Sequence, residues 1–132
     1  MSAQLKPLGD WVNQLFDTIF FDSDDNNAIK AFTEGFDPSF SVKINHDSLS
    51  YDQYKEAIHK TRAQSEITLQ DSSEILKWDD AEQKGGTVAH LFKFVVKDKT
   101  TGKETNSTNL LLTAVKWIDG KRVITEITEI AV

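Results

Sequence analysis

Residues 104–131 read ETNSTNLLLTAVKWIDGKRVITEITEIA, two long runs rich in Leu, Val, Ile and Thr on either side of Asp119-Gly120. A two-residue type I′ turn needs positive φ at both central positions, and Asp-Gly is among the pairs that supply it at least cost. The runs therefore read as antiparallel strands, 104–118 and 121–131, joined by a tight hairpin. Register counted from the turn alone sets Lys116 opposite Val123, Ala114 opposite Thr125, Leu112 opposite Ile127 and Leu110 opposite Glu129. The other face then carries Leu111, Thr113, Val115, Trp117, Arg122, Ile124, Glu126, Thr128 and Ile130. Both faces hold large apolar groups, whereas a sheet with one wet face shows clean alternation. One face is expected to meet helices and the other a second copy of the chain, giving a homodimer built sheet to sheet.

Upstream, residues 66–79 and 85–98 have the same β-branched and aromatic character, with Gly85-Gly86 turning into the second of them. In that strand Val88, His90, Phe92, Phe94 and Val96 share a face, the most apolar stripe in the sheet, assigned to the concave side against the helices. The N-terminal third has a different period. Leu8, Trp11, Val12, Leu15, Phe16, Ile19 and Phe20 recur at three- and four-residue steps, which predicts a helix over residues 8–21. Asp24 or Asp25 can cap a second helix bearing Ala28, Ile29, Phe32 and Phe36, ended by Gly35 and Pro38. A short extended piece, Ser39 to Asn45, leads through a loop at His46-Asp47 to Ser50. The Ser50 hydroxyl can cap a third helix over 51–64, with Tyr54, Ala57, Ile58 and Thr61 inward. Three helices followed by four consecutive strands predict an α+β fold over residues 1–132, one domain with an antiparallel sheet curled around helices on one side.

Composition bounds the partners. The 132 residues include eight Phe and three Trp, enough large apolar side chain to form a core without covalent staples. Cysteine is absent, which removes disulfides, thiolate nucleophiles and Cys-based metal sites. A net charge of −6 leaves no basic face for nucleic acid. Met1 to Asp10 lacks the apolar run of an export leader, and no stretch approaches the length that spans a bilayer, so the expected location is the cytoplasm. Asp22, Asp24 and Asp25 lack the ordered ligands and closing Glu of a calcium loop. His46, His90 and His59 lie on separate elements, so no metal site is expected.

His90 with a carboxylate forms a candidate acid–base pair beside an apolar ligand. Which carboxylate joins it depends on register across the Asp98–Gly102 loop. Where paired residue numbers add to an even value, Glu129 shares the His90 face; with an odd value Glu126, Asn109 and Thr113 do. Against this stand plainer roles, His90 as a satisfied core residue and the two glutamates as alternating surface positions.

The order of elements, the third-helix start Ser50-Tyr51-Asp52-Gln53-Tyr54 and the closing Trp117-Ile118-Asp119-Gly120-Lys121 together resemble the NTF2-like superfamily, particularly its SnoaL-like members. The resemblance covers nearly the whole chain and implies a conical half-barrel, often dimeric, with a pocket between helices and concave sheet. Family members include cyclases, dehydratases, isomerases, epoxide hydrolases and non-catalytic binders, so fold leaves function open. Steroid-isomerase-like members use a first-helix Tyr where this chain has Phe16 and Phe20. Scytalone-dehydratase-like members pair pocket His and Tyr residues, and here only His90 lies in a strand. Cyclase-like members place His or Asp along the last strand, occupied here by Thr125, Ile127 and Glu129. The expectation is an apolar small molecule in the cone, lined by Trp11, Phe16, Phe20, Phe32, Phe92, Phe94 and Leu112, with His90 and Glu129 as the cofactor-free proton-transfer pair. An adaptor that binds other proteins through the sheet surface is the alternative.

Overall fold

The computed structural model describes residues 5–132; Met1–Gln4, the start of the segment read as lacking an export leader, lie outside them. Helix α1 runs Leu8–Phe16 and passes into a single π-helical turn, Asp17–Phe21, before α2, Asp25–Gly35. Strands β1, Phe36–Ile44, and β2, Asp47–Ser50, precede α3, Tyr51–Gln64. The chain then finishes in β3, Ser65–Asp79, β4, Gly86–Asp98, β5, Glu104–Ile118, and β6, Lys121–Ala131. One six-stranded sheet results, in the order β2-β1-β6-β5-β4-β3, antiparallel except where β1 runs parallel to β6.

Local chemistry sets the helix ends. The Asp24 carboxylate accepts from the amides of Asn26 and Asn27, satisfying donors the first turn of α2 leaves free. Ser50 and Gln53 form a complete capping box at α3. From α3, Arg62 reaches back to the carbonyls of Ile19 and Asp22 and to the Asp25 carboxylate, tying the π turn to both neighbouring helices.

Four expectations are corrected. The first helix is not uniform, since the π turn widens it just where Phe20 and Phe21 must both meet the sheet side. Phe36 opens β1 rather than closing α2, and Pro38 lies inside that strand, in the stretch between Phe36 and Ser41 where ladder pairing with β6 is interrupted. The loop expected at His46-Asp47 is the tight turn Asn45-His46 of a hairpin, with Asp47 already opening β2. Asn45 takes a positive φ of 54°, which its short side chain tolerates, and its amide bonds both Ala131 backbone groups at the end of β6. The fourth concerns register. β5 and β6 pair as counted from the turn as far as Val115 with Ile124, after which Thr125 bulges and Ala114 faces Glu126. Beyond it Leu112 faces Thr128 rather than Ile127, and Leu111 faces Glu129.

The bulge has a packing cause. Ile124 and Ile127 are both fully buried, yet they stand three residues apart, an odd spacing that regular alternation cannot bring to one face. One extra residue reconciles them. Downstream of it Ile127 and Glu129 point inward, while Thr128 and Ile130 point outward.

A single core forms between the helices and the sheet face that carries Val88, His90, Phe92, Leu111, Val115, Ile124 and Ile127. Phe16 of α1 meets Phe92 edge-on at 5.9 Å, and Phe32, Phe36, Phe40 and Tyr54 form a second aromatic group toward β1. Arg122, at the start of β6, is buried and donates to the carbonyls of Lys6, Gln83 and Lys84, holding the N-terminal segment and the β3–β4 loop to the sheet.

Candidate functional site

Between the helices and the sheet lies a cavity of about 220 Å³. β4 contributes Phe92, Phe94 and Val96; the end of the first helix and its π turn contribute Phe16, Phe20 and Phe21; α3 contributes Tyr54, Ala57, Ile58 and Thr61. Ile44, Ile67 and Leu111 complete the apolar wall, and Asn109 with Glu129 supplies the polar floor. The Phe rings interlock around it. Phe20 stacks on Phe16 at 6.2 Å, and Phe21 meets Phe94 edge-on at 6.1 Å.

Glu129 is brought here by two register features acting together. β4 and β5 pair with odd sums, His90 opposite Leu111 and Phe92 opposite Asn109, which turns Asn109 and Thr113 to the concave side. The same register alone would have brought Glu126 inward; the Thr125 bulge sends Glu126 out and Glu129 in. Its carboxylate is 8% exposed and accepts from Asn109 Nδ2 at 2.9 Å. Removal from water raises its pKa from 4.5 to about 7, the Asn109 hydrogen bond holding the rise back. Tyr54 is fully buried, and that burial, reinforced by the charge of Glu129, keeps its phenol protonated far above the usual range. The floor thus combines one carboxyl that changes charge near neutrality with one hydroxyl that does not.

His90 and Glu129 lie in one row across three strands, with Leu111 between them. Two strand spacings separate their backbones by about 10 Å, and no hydrogen bond joins the two side chains among the described residues. His90 is 2% exposed, has Asp10 of α1 nearby, and stacks on Phe92 at 5.6 Å. Its Nδ1 has no partner among the described residues, and burial depresses its pKa despite the nearby charges of Glu74 and Asp10. A neutral imidazole in the core follows. Phe16, Phe20, Phe92 and Phe94 line the cavity, whereas Trp11 and Phe32 pack elsewhere in the core. Leu112 is on the outer sheet face, 46% exposed, because the odd β4–β5 register gives the inward position to Leu111.

Tyr54 and Phe21 escaped the reading of the sequence as site residues. Tyr54 carried a signal, a hydroxyl at an inward helical position where a purely structural side chain would be Phe or Leu. Phe21 carried none, because its placement comes from the π turn. Among the described residues no group of three or more His, Asp or Glu side chains is placed to hold a metal ion, and no helix is long and apolar enough to cross a membrane.

Helices on one face of a curled mixed sheet, with a cavity between them, define the NTF2-like fold, and this chain has it. A ketosteroid isomerase-like protein from Erwinia carotovora atroseptica superposes with a TM-score of 0.76 over 100% of this chain and 98% of its own, at 10% identity. A conserved protein from Planctomyces limnophilus gives 0.77 over 96% and 94%, at 8% identity. An NTF2-like protein of unknown function from an Exiguobacterium species gives 0.67 over 92% and 98%, at 12% identity. No protein-family model and no curated protein sequence matches the chain. Similarity at this level is similarity of fold.

Proposed function

We propose that the cone holds a small apolar molecule and that Glu129 is the acid–base group acting on it, without a cofactor. One observation carries this reading: a carboxyl at the floor of an aromatic cavity whose pKa is lifted by burial to about 7. An acid–base group works best when its pKa matches the ambient pH, and only a dry, shaped site makes a glutamate meet that condition. Tyr54 and Asn109 belong to the same floor, the first as a hydrogen-bond donor to the ligand and the second as the group that positions Glu129. His90 has no direct part, since Leu111 intervenes in its row. That a neighbour of the same fold is described as ketosteroid isomerase-like is in keeping with this reading.

Ligands that enter the folded state alone must raise its melting temperature, and Trp-independent thermal unfolding against a panel of compact apolar molecules checks the first half of the reading. Several members should raise the midpoint in proportion to the logarithm of their concentration. No shift from any of them would leave the cavity without this role.

The outer sheet face favours a second property, self-association. Leu91, Leu110 and Ile130 form one cross-strand row there, and Leu76, Ala89 and Leu112 another. Leu76 is 75% exposed, Ile130 55% and Trp78 66%, and contiguous apolar area of this kind marks an interface. A second copy fits it, the same rows meeting across a two-fold axis, with the alternative being a different protein held by the same face. Sedimentation at micromolar concentration should give twice the 14.9 kDa chain mass; a species of 14.9 kDa alone would remove the dimer.

A further inference from the structure

We infer that the ligand of this cavity is a small apolar amine, its ammonium seated against the Glu129 carboxylate and its hydrocarbon among the phenylalanine rings. The inference rests on the reading of the cavity as a ligand site and adds the charge of what it takes. Among the lining residues Glu129 and Tyr54 are the ionisable ones, and no Lys, Arg or His shares the wall. An anionic ligand would meet a carboxylate and no counter-charge. A buried carboxylate is normally compensated by a cation, yet among the described residues none lies within ion-pair distance of Glu129. Asn109 donates to Oε2, and no side chain among the described residues donates to Oε1 of this cavity-lining group.

The wall supplies the rest of an ammonium site. Phe16, Phe20, Phe21, Phe92, Phe94 and Tyr54 all border the space, and the face of each ring attracts a cation through its quadrupole. Tyr54 adds a hydroxyl oxygen that can accept from the ammonium while its own proton stays in place. The cavity, about 220 Å³, has room for one ring or a short alkyl chain with an amino group. The net charge of −6 favours approach of cations. A neutral carbonyl ligand would use the same floor in the opposite protonation state, taking a hydrogen bond from the carboxylic acid, so the direction of the pH dependence separates the two.

The groups facing Glu129 are Tyr54 from α3 and Asn109 from β5, and neither changes charge near neutrality. Binding of an ammonium therefore follows ionisation of Glu129 alone. The test is calorimetric titration of the full chain with phenethylamine, phenethyl alcohol and phenylacetate, repeated with Glu129→Gln, whose folding is verified by circular dichroism. At about pH 8 phenethylamine should bind at least tenfold more tightly than the alcohol, with phenylacetate weakest. Between about pH 8 and about pH 5 its affinity should fall by about 100-fold as the carboxylate takes up a proton. In Glu129→Gln the preference should vanish, the amine binding no more tightly than the alcohol. Alcohol binding as tightly as amine, affinity that rises on acidification, amine binding unaffected by the substitution, or no amine binding at all would each overturn the inference. The first two outcomes leave an apolar ligand site intact, whereas silence from all three probes removes the site as well.

Discussion

Glu129→Gln is expected to stabilise the ligand-free protein by about 3 kcal/mol at about pH 8 and to leave its stability nearly unchanged below about pH 4. The sign follows from where the proton goes. The folded protein holds the Glu129 proton up to about pH 7, whereas the unfolded chain releases it near 4.5. Between those values the unfolded state alone gains a solvated carboxylate, so stability falls as pH rises through the window and stays low above it. Gln is isosteric, neutral at every pH and still able to accept from Asn109, so it escapes the loss. His90 works in the opposite sense. Its burial favours the neutral ring, a contribution present above its ordinary value of 6.5 and lost on acidification, but it is common to both proteins and cancels in the difference. Urea denaturation of the two proteins across this range checks the expectation, and a difference independent of pH would show that Glu129 titrates normally. The same variant should lose proton transfer to any bound substrate by about 100-fold or more, the usual weight of a positioned acid–base group. Gain of stability with loss of chemistry is what a functional group buried against its own solvation preference predicts.

Phe16→Ala is expected to cost about 3–5 kcal/mol, the range for deleting a fully buried aromatic side chain. Phe16 belongs to the core and to the cavity wall together, touching Phe20 on its own helix and Phe92 across the sheet. Its removal merges the new void with the existing space instead of letting the core collapse around it. Two measurements read this. The urea midpoint should drop sharply, and the preferred ligand should grow by about one phenyl ring. A loss below about 1 kcal/mol would mean that Phe16 packs loosely and that the cavity has no defined wall at this point.

Most strand and helix limits were legible because local chemistry marks them. Asp119-Gly120 turns the last hairpin, Ser50 with Gln53 starts α3, Asp24 starts α2, and the alternation from Val88 to Val96 shows which face of β4 is dry. Four features were not legible from composition and period: β2, the π turn, Pro38 within β1 and the bulge at Thr125. Each satisfies a demand from another element. Asn45 turns because the end of β6 offers it two backbone partners, and Phe21 comes round because Phe94 waits across the gap. The bulge alone left a trace, Ile124 and Ile127 three residues apart in a strand where buried positions should be two or four apart.

The candidate site divides along the same line. The amino-acid sequence by itself determined that an α+β cone with a Phe-rich concave face would form, because periodicity, capping and turn chemistry act over a few residues and need no distant partner. Which glutamate faces inward, which leucine lines the wall, and whether His90 meets a carboxylate were decided by tertiary structure alone. Side chains alternate with a period of two along a strand, so one residue of slip between β4 and β5, or one bulge in β6, exchanges the faces completely. Those slips are settled by burying Ile124, Ile127 and Leu111 against helices that lie far back in the chain, a balance of packing that no local pattern records.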